Sequence, residues 1–311
     1  MSLAFVFPGQ GSQSPGMLKE LAEAEPVVTE TFSLASAALG YDLWDVVQNG
    51  PQEKLNSTDV TQPALLTAGV ACWKVWQQKE AEQPKMLAGH SLGEYTALVC
   101  AGIIDFADAV KLVETRGKYM QQAVPEGQGG MAAILGLDDD KVAQACQQAA
   151  GSEVLQPVNY NSPGQVVVAG SKAAVDRVVV VAKEMGAKRA LPLPVSVPSH
   201  CDLMKPAAEK LAETLESIAF KDGTIPVINN VDVVIESDAG KIRSALVRQL
   251  YSPVRWVEII QKMAANNIDQ LVECGPGKVL VGLNKRIDKS MSANAVFDPA
   301  SFENALAAVA E

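Results

Sequence analysis

The sequence predicts an α/β protein in which a small β-α-β-β-α-β unit is inserted into a larger α/β domain. Two observations carry this expectation. Short apolar runs break into glycine turns at Leu3–Phe7 before Pro8-Gly9-Gln10-Gly11, and at Met86–Ala88 before Gly89-His90. Such junctions mark buried strands ending in tight turns. In addition, residues 124–195 carry a complete order of strand and helix signals of their own.

Taken in order, the run at Leu3 is the first strand, and the segment from Lys85 is a second strand that turns at Gly89-His90. A helix then runs from about Ser91 to Cys100, and Gly102 is a natural stop for it. An amphipathic helix begins near Asp105, its apolar stripe marked by Ala109, Val110, Val113, Gly117 and Met120. The glycine-rich Glu126-Gly-Gln-Gly-Gly130 opens the inserted unit. Within it follow an apolar run at Met131–Leu135, a helix over about 138–150, strands over about 154–160 and 165–169, a helix over about 172–185 and a strand over about 188–193. Ser162-Pro163-Gly164 suits a type II turn between the middle strands. That element order is ferredoxin-like. The proline-rich exit Leu191–Pro198 returns the chain to the larger domain, which is therefore expected to comprise 1–123 and 196–311, with 124–195 inserted.

At 311 residues and 48% hydrophobic, the chain can bury a sizeable core. No stretch approaches the roughly 20 uninterrupted apolar residues of a membrane helix, so no membrane association is expected and the cytoplasm is the expected compartment. Five cysteines without a C-x-x-C pair give no disulfide framework or metal site. A net charge of −10 argues against nucleic acid as a partner, because phosphate neutralisation needs a basic surface. No metal or bound cofactor is expected, and a monomer is.

Gly89-His90-Ser91-Leu92-Gly93 fits G-x-S-x-G, in which glycines permit a tight strand-to-helix turn that exposes the serine hydroxyl. A serine nucleophile needs a base, usually imidazole, and the chain has only two histidines. His90 adjoins the serine, and consecutive residues at a sharp turn point apart. His200, held in Val197-Pro198-Ser199-His200, is the remaining candidate, with a structural role as the alternative. Arg116 lies on the apolar stripe and should face inward, where a guanidinium must meet either an internal carboxylate or a substrate anion. The first glycine loop fails the phosphate-loop patterns, since Ser14 stands where G-x-G-x-x-G needs glycine. Its backbone N–H groups suit an oxyanion instead, together with the N–H of Leu92.

Phe7-Pro-Gly-Gln-Gly-Ser-Gln13, Gly89-His-Ser-Leu-Gly-Glu-Tyr95, Arg116, Asn161-Ser-Pro-Gly-Gln165, Pro194-Val-Ser-Val-Pro-Ser-His200, Gln249 and Gly275-Pro-Gly-Lys278 together resemble the malonyl-CoA:acyl carrier protein transacylase family, in order and along essentially the whole chain. The resemblance implies a hydrolase-like parallel sheet with the site between the two units. It further implies Ser91 as nucleophile, His200 as base, Arg116 as the clamp for the malonyl carboxylate, and the N–H groups of Gln10 and Leu92 as the oxyanion hole. The main-chain carbonyl of Gln249 stands in for a triad carboxylate, and Asn161 and Gln249 count among the substrate-binding residues. Malonyl-CoA and an acyl carrier protein are the implied partners, coenzyme A entering as a thioester substrate, and the implied role is supply of malonyl groups to fatty acid synthesis. Carrier proteins are generally acidic, so docking would fall on a basic cluster, Lys285-Arg286 with Lys289 or Lys188-Arg189. A thioesterase or lipase shares G-x-S-x-G, but its usual histidine lies near the C-terminus. A non-catalytic carrier-binding scaffold would have no need of Ser91, His200 and Arg116 together.

Overall fold

The computed structural model of the protein describes residues 2–195 and 197–310. Ser196, which falls in the 194–200 segment and at the expected return to the larger domain, lies outside the described residues. Among the described residues, nine strands form two sheets: β1 (Leu3–Phe7), β2 (Met86–Gly89), β3 (Gly129–Leu135), β4 (Leu155–Ser162), β5 (Gln165–Ser171), β6 (Arg189–Pro192), β7 (Val227–Ile228), β8 (Gln270–Cys274) and β9 (Ser292–Val296).

The larger sheet has the order β7-β2-β1-β8-β9, and every pairing in it is parallel. Its central strand shows why the sequence reads as one apolar run. Leu3, Phe5 and Phe7 pack into one core cluster, whereas Ala4 and Val6 point the other way into a second. A strand covered on both faces has no polar alternate positions. Helices supply both covers, with Thr58–Gln78 on the first side and Trp256–Ala265 on the second. Phe5 meets Trp73 and Trp76 edge-on, with ring centroids 5.4 and 5.0 Å apart.

The second sheet is antiparallel, of order β4-β5-β3-β6, and carries the helices Asp139–Ala150 and Lys172–Glu184 on one face. Alternation along β3 divides it between two environments. Ala132 and Ile134 face those helices, while Met131 faces a small cluster with Val158, Val167, Ala169 and Cys201 on the side of the parallel sheet. The two units are stitched by backbone: Tyr160 N–H donates to the Val254 carbonyl at 3.0 Å, and Val254 N–H donates to Val158 at 2.9 Å. Among the described residues, no helix is long and apolar enough to cross a membrane, and all five cysteines are free and buried.

Candidate active site

The cleft lies where β1 and β2 end and the antiparallel sheet faces them. Open parallel sheets place ligand sites at this edge, beyond the carboxyl ends of the strands. The turn after β2 is made possible by two glycines. A Cβ on Gly89 would lie 1.8 Å from the Gly93 carbonyl carbon, and one on Gly93 would lie 2.0 Å from the Phe7 carbonyl oxygen. No side chain fits at either position, so the spacing G-x-S-x-G is a packing requirement. Ser91 between them has φ 52° and ψ −107°, a sparsely populated conformation that only surrounding contacts can hold. Leu92 begins the helix Leu92–Cys100, which leaves its N–H outside the intrahelical ladder.

Ser91 Oγ lies 2.8 Å from Nε2 of His200, which comes from a loop more than a hundred residues downstream. The other ring nitrogen, Nδ1, is 2.6 Å from the main-chain carbonyl of Gln249. A carbonyl can only accept, so Nδ1 carries the hydrogen and Nε2 presents its lone pair to the serine. His200 is itself at φ 66°, and its N–H donates to the Leu250 carbonyl at 2.9 Å. Burial, followed by the nearby Arg116 charge, lowers its pKa to about 3. The imidazole is therefore neutral at neutral pH.

Arg116, on the helix Phe106–Ala123, is 1% exposed. Its Nη1 donates to Gln62 Oε1 at 2.8 Å, and its Nη2 donates to Gln249 Oε1 at 3.0 Å and to Ser91 Oγ at 3.4 Å. The Tyr95 ring lies 5.3 Å from the guanidinium carbon. Among the described residues Arg116 makes no ion pair, and its Nε is buried with no hydrogen-bond partner. The buried Glu94 carboxyl acts on this cation from a distance, but the cation's hydrogen-bond partners are all neutral oxygens, which suits it to receive an anion.

These groups open on a cavity of about 190 Å³ lined by Gln10, Ser91, Leu92, Arg116, Asn161 and His200. The other wall is apolar, with Met131, Val167, Leu193 and Val195. Asn161 Oδ1 lies 2.8 Å from His90 Nε2. Burial keeps the His90 pKa low. His90 thus has its Nε2 occupied by Asn161. Among the described residues no group of three or more His, Cys, Asp or Glu is placed to hold a metal.

Residues 4–297 match the acyl transferase domain family. The chain is 63% identical, over 97% of its length and 98% of the relative's, to the malonyl CoA-acyl carrier protein transacylase of Salmonella typhimurium. It belongs to the malonyl CoA-acyl carrier protein transacylase family. Transacylases of the same name from Escherichia coli K12 and Bacillus subtilis are 62% and 44% identical, over 97% and 99% of this chain and 98% of each relative. Among solved structures, a malonyl-transacylase in complex with a holo type II PKS acyl-carrier protein superposes with a TM-score of 0.98 at 59% identity, covering 99% of this chain and all of that one. An acyl carrier protein S-malonyltransferase from Vibrio cholerae gives 0.95 at 63%, covering 98% and 99%.

As a transacylase-family member the chain is an acyltransferase, and its fold adds residues to the site that sequence patterns did not single out. Asn230, fully buried after β7, accepts the Ser91 N–H at 2.7 Å and donates to the Gly89 carbonyl at 2.7 Å. Gln62 fixes one end of the guanidinium. Glu94, 2% exposed, accepts from Asn230 N–H at 2.9 Å and from Gln249 Nε2 at 2.8 Å. Burial raises its pKa to about 7 against the lowering effect of those bonds. The Gly-Glu pair after the serine was the available signal for Glu94. Asn230 had none, since only the fold brings it to the elbow.

Proposed function

We propose that the protein transfers a malonyl group from malonyl-CoA to the phosphopantetheine thiol of an acyl carrier protein through a malonyl-Ser91 ester, supplying fatty acid synthesis. The observation that carries this reading is the chain Ser91–His200–Gln249 carbonyl beside a buried guanidinium with only neutral partners. In the first half-reaction Ser91 Oγ attacks the thioester carbonyl while His200 Nε2 takes the hydroxyl proton. The carbonyl oxygen becomes an oxyanion, and in this reading the N–H groups of Gln10 and Leu92, two residues that line the cavity, receive it. The carbon–sulfur bond then breaks, and the leaving thiol takes the proton from His200. The carrier's phosphopantetheine thiol repeats the sequence on the serine ester, giving its proton to His200, which returns it to Ser91.

The neutral, Nδ1-protonated imidazole is the form this cycle needs at both ends. The malonyl carboxylate satisfies Arg116 through two N–H groups, which holds the reacting carbonyl beside Ser91 and discriminates against acyl groups without a second carboxyl. Gln249 and Asn161 border the same space. In this reading 124–195 is an insertion that supplies the far wall of the acyl site, coenzyme A is substrate and not a resident cofactor, and the protein works as a monomer in the cytoplasm.

Incubation with malonyl-CoA and a holo acyl carrier protein, with products separated by mass, tests the reading. Malonyl-carrier protein and free coenzyme A in equal amounts are expected. Free malonate without a malonylated carrier would replace transfer by hydrolysis.

A further inference from the structure

The helix Leu92–Cys100 buries eight of its nine residues, and seven of those are apolar, small or hydroxyl-bearing. Glu94 is the exception. A carboxyl group in such a position costs several kcal/mol unless its oxygens are used. Oε2 is used in a particular way, because both of its donors belong to residues that hold the reacting groups.

One donor is the Asn230 backbone, whose side chain spans the elbow from Ser91 N–H to the Gly89 carbonyl. The other is the Gln249 amide. Gln249 touches every working part of the site. Its carbonyl accepts from His200 Nδ1, its Oε1 accepts from Arg116, and its Nε2 donates to the Ser91 carbonyl at 3.1 Å. An amide can be turned end for end at little steric cost, and turning this one would point N–H groups at a guanidinium. Oε2 carries no hydrogen while it accepts from both donors, so Glu94 fixes which end of the amide faces Arg116.

We propose that Glu94 is a positioning residue: by accepting from Asn230 and Gln249 together, its Oε2 sets the Ser91 elbow, the His200 ring and the Arg116 clamp in one register. It does not touch the histidine and takes no proton from it. This rests on Ser91 being the acylated residue. Glu94 supports the histidine one residue removed from where the single carboxylate of a serine-hydrolase triad acts, through the Gln249 amide side chain and the backbone carbonyl attached to it.

The test compares wild type with Glu94→Leu, which fills the space without an acceptor, and Glu94→Gln, whose amide oxygen can still accept from both partners. Serine acylation by malonyl-CoA and acetyl-CoA is followed by rapid quench, with thermal melting in parallel. Glu94→Leu is expected to slow acylation by both thioesters about 100-fold, the usual effect of misplacing reacting groups by an ångström. It should also lower the malonyl-over-acetyl preference on the order of tenfold, since Arg116 loses its fixed amide partner. Glu94→Gln should restore both quantities to within about fivefold. A folded Glu94→Leu protein with wild-type rates overturns the proposal. So does a Glu94→Gln enzyme as slow as the leucine variant, which would assign the effect to charge. If the leucine variant does not fold, Glu94→Asp, with its carboxylate withdrawn by one methylene, must show the slow acylation, and wild-type rates there overturn the proposal too. Absence of a Ser91 adduct in the wild type would instead defeat the transfer reading itself.

Discussion

The wall of the cavity that belongs to the parallel-sheet unit is polar and tied down: Ser91, His200, Arg116, Gln249, Asn230 and Glu94 are linked by hydrogen bonds of 2.6–3.4 Å. The wall that belongs to the antiparallel sheet presents Met131 from β3, Val167 from β5, and Leu193 just past β6, with Asn159 and Asn161 from β4 as its polar members. The first wall is specified by geometry, because each polar group depends on a partner whose loss strands it in a low-dielectric setting. Apart from its asparagines, the second is specified by volume. Substitutions on the two sides should therefore fail differently, the first in rate and the second in the choice of acyl group.

Ser91→Ala should break the comparison most completely, abolishing acylation and lowering transfer on the order of a millionfold, as for other serine nucleophiles. His200→Ala should be similarly damaging, because the only other imidazole is turned to Asn161. Steady-state transfer by purified variants checks both, and a near-normal rate for His200→Ala would make that ring a structural element.

Arg116→Ala should cost malonyl transfer on the order of a thousandfold in kcat/KM, the rate equivalent of the ~3–5 kcal/mol at stake when a buried ion pair loses one partner. Activity with acetyl-CoA should be kept or rise, since Ser91 and His200 remain in place. Measuring both substrates alongside Tm separates this from unfolding. An unchanged malonyl-to-acetyl ratio in a folded protein would remove Arg116 from specificity.

On the opposite wall, Met131→Ala should leave malonyl acylation within a few-fold while raising the relative rate with methylmalonyl-CoA about tenfold, the scale of one methyl group in a fitted pocket. A large loss of malonyl rate with no change of selectivity would show that this wall also positions the chemistry.

Smaller effects are expected at the surface and with pH. Arg286 bridges the two units through Gln165 Oε1 at 2.6 Å, while Lys285, Lys289, Lys188 and Arg189 are exposed. Charge reversal in either cluster should slow only transfer to the carrier, by a few-fold and more at low salt. Equal slowing of both half-reactions would place docking elsewhere. The low pKa of His200 puts the acid limb of kcat/KM well below the ordinary histidine value of about 6.5. A bound malonyl carboxylate offsets the Arg116 charge and favours the imidazolium, so the limb in kcat should lie at higher pH than the limb in kcat/KM. The stability contribution has its own sign. The unfolded chain binds the His200 proton more readily, so that contribution is complete above about pH 6.5 and is lost as pH falls toward 3.

The comparison also separates what could be read from sequence. The antiparallel unit was legible nearly element by element, since its strands read as short runs bounded by turn residues and its helices are amphipathic; Asp139–Ala150 and Lys172–Glu184 fall within a residue of the expected spans. In the parallel unit only the elements around glycine turns could be read. Helix Thr58–Gln78 is buried around most of its circumference and contains Pro63, so neither periodicity nor composition announces it. β7 is two residues long and owes its existence to pairing with β2. In the site, Ser91, His200 and Arg116 were visible because scarcity and helical spacing single them out. Asn230 and Gln62 were not, because their roles arise from contacts across 139 and 54 residues of chain. The inward placement of Arg116 was foreseeable, whereas its all-neutral coordination was not.

The central claim is that Ser91 carries the acyl group between two thiols. Mass analysis of the intact protein after brief exposure to malonyl-CoA, followed by peptide mapping and then by addition of a holo acyl carrier protein, tests it directly. The account predicts a single malonyl adduct, located on Ser91 and discharged onto the carrier. A carrier protein that becomes malonylated while the enzyme shows no adduct, or an adduct on any other residue, would contradict it.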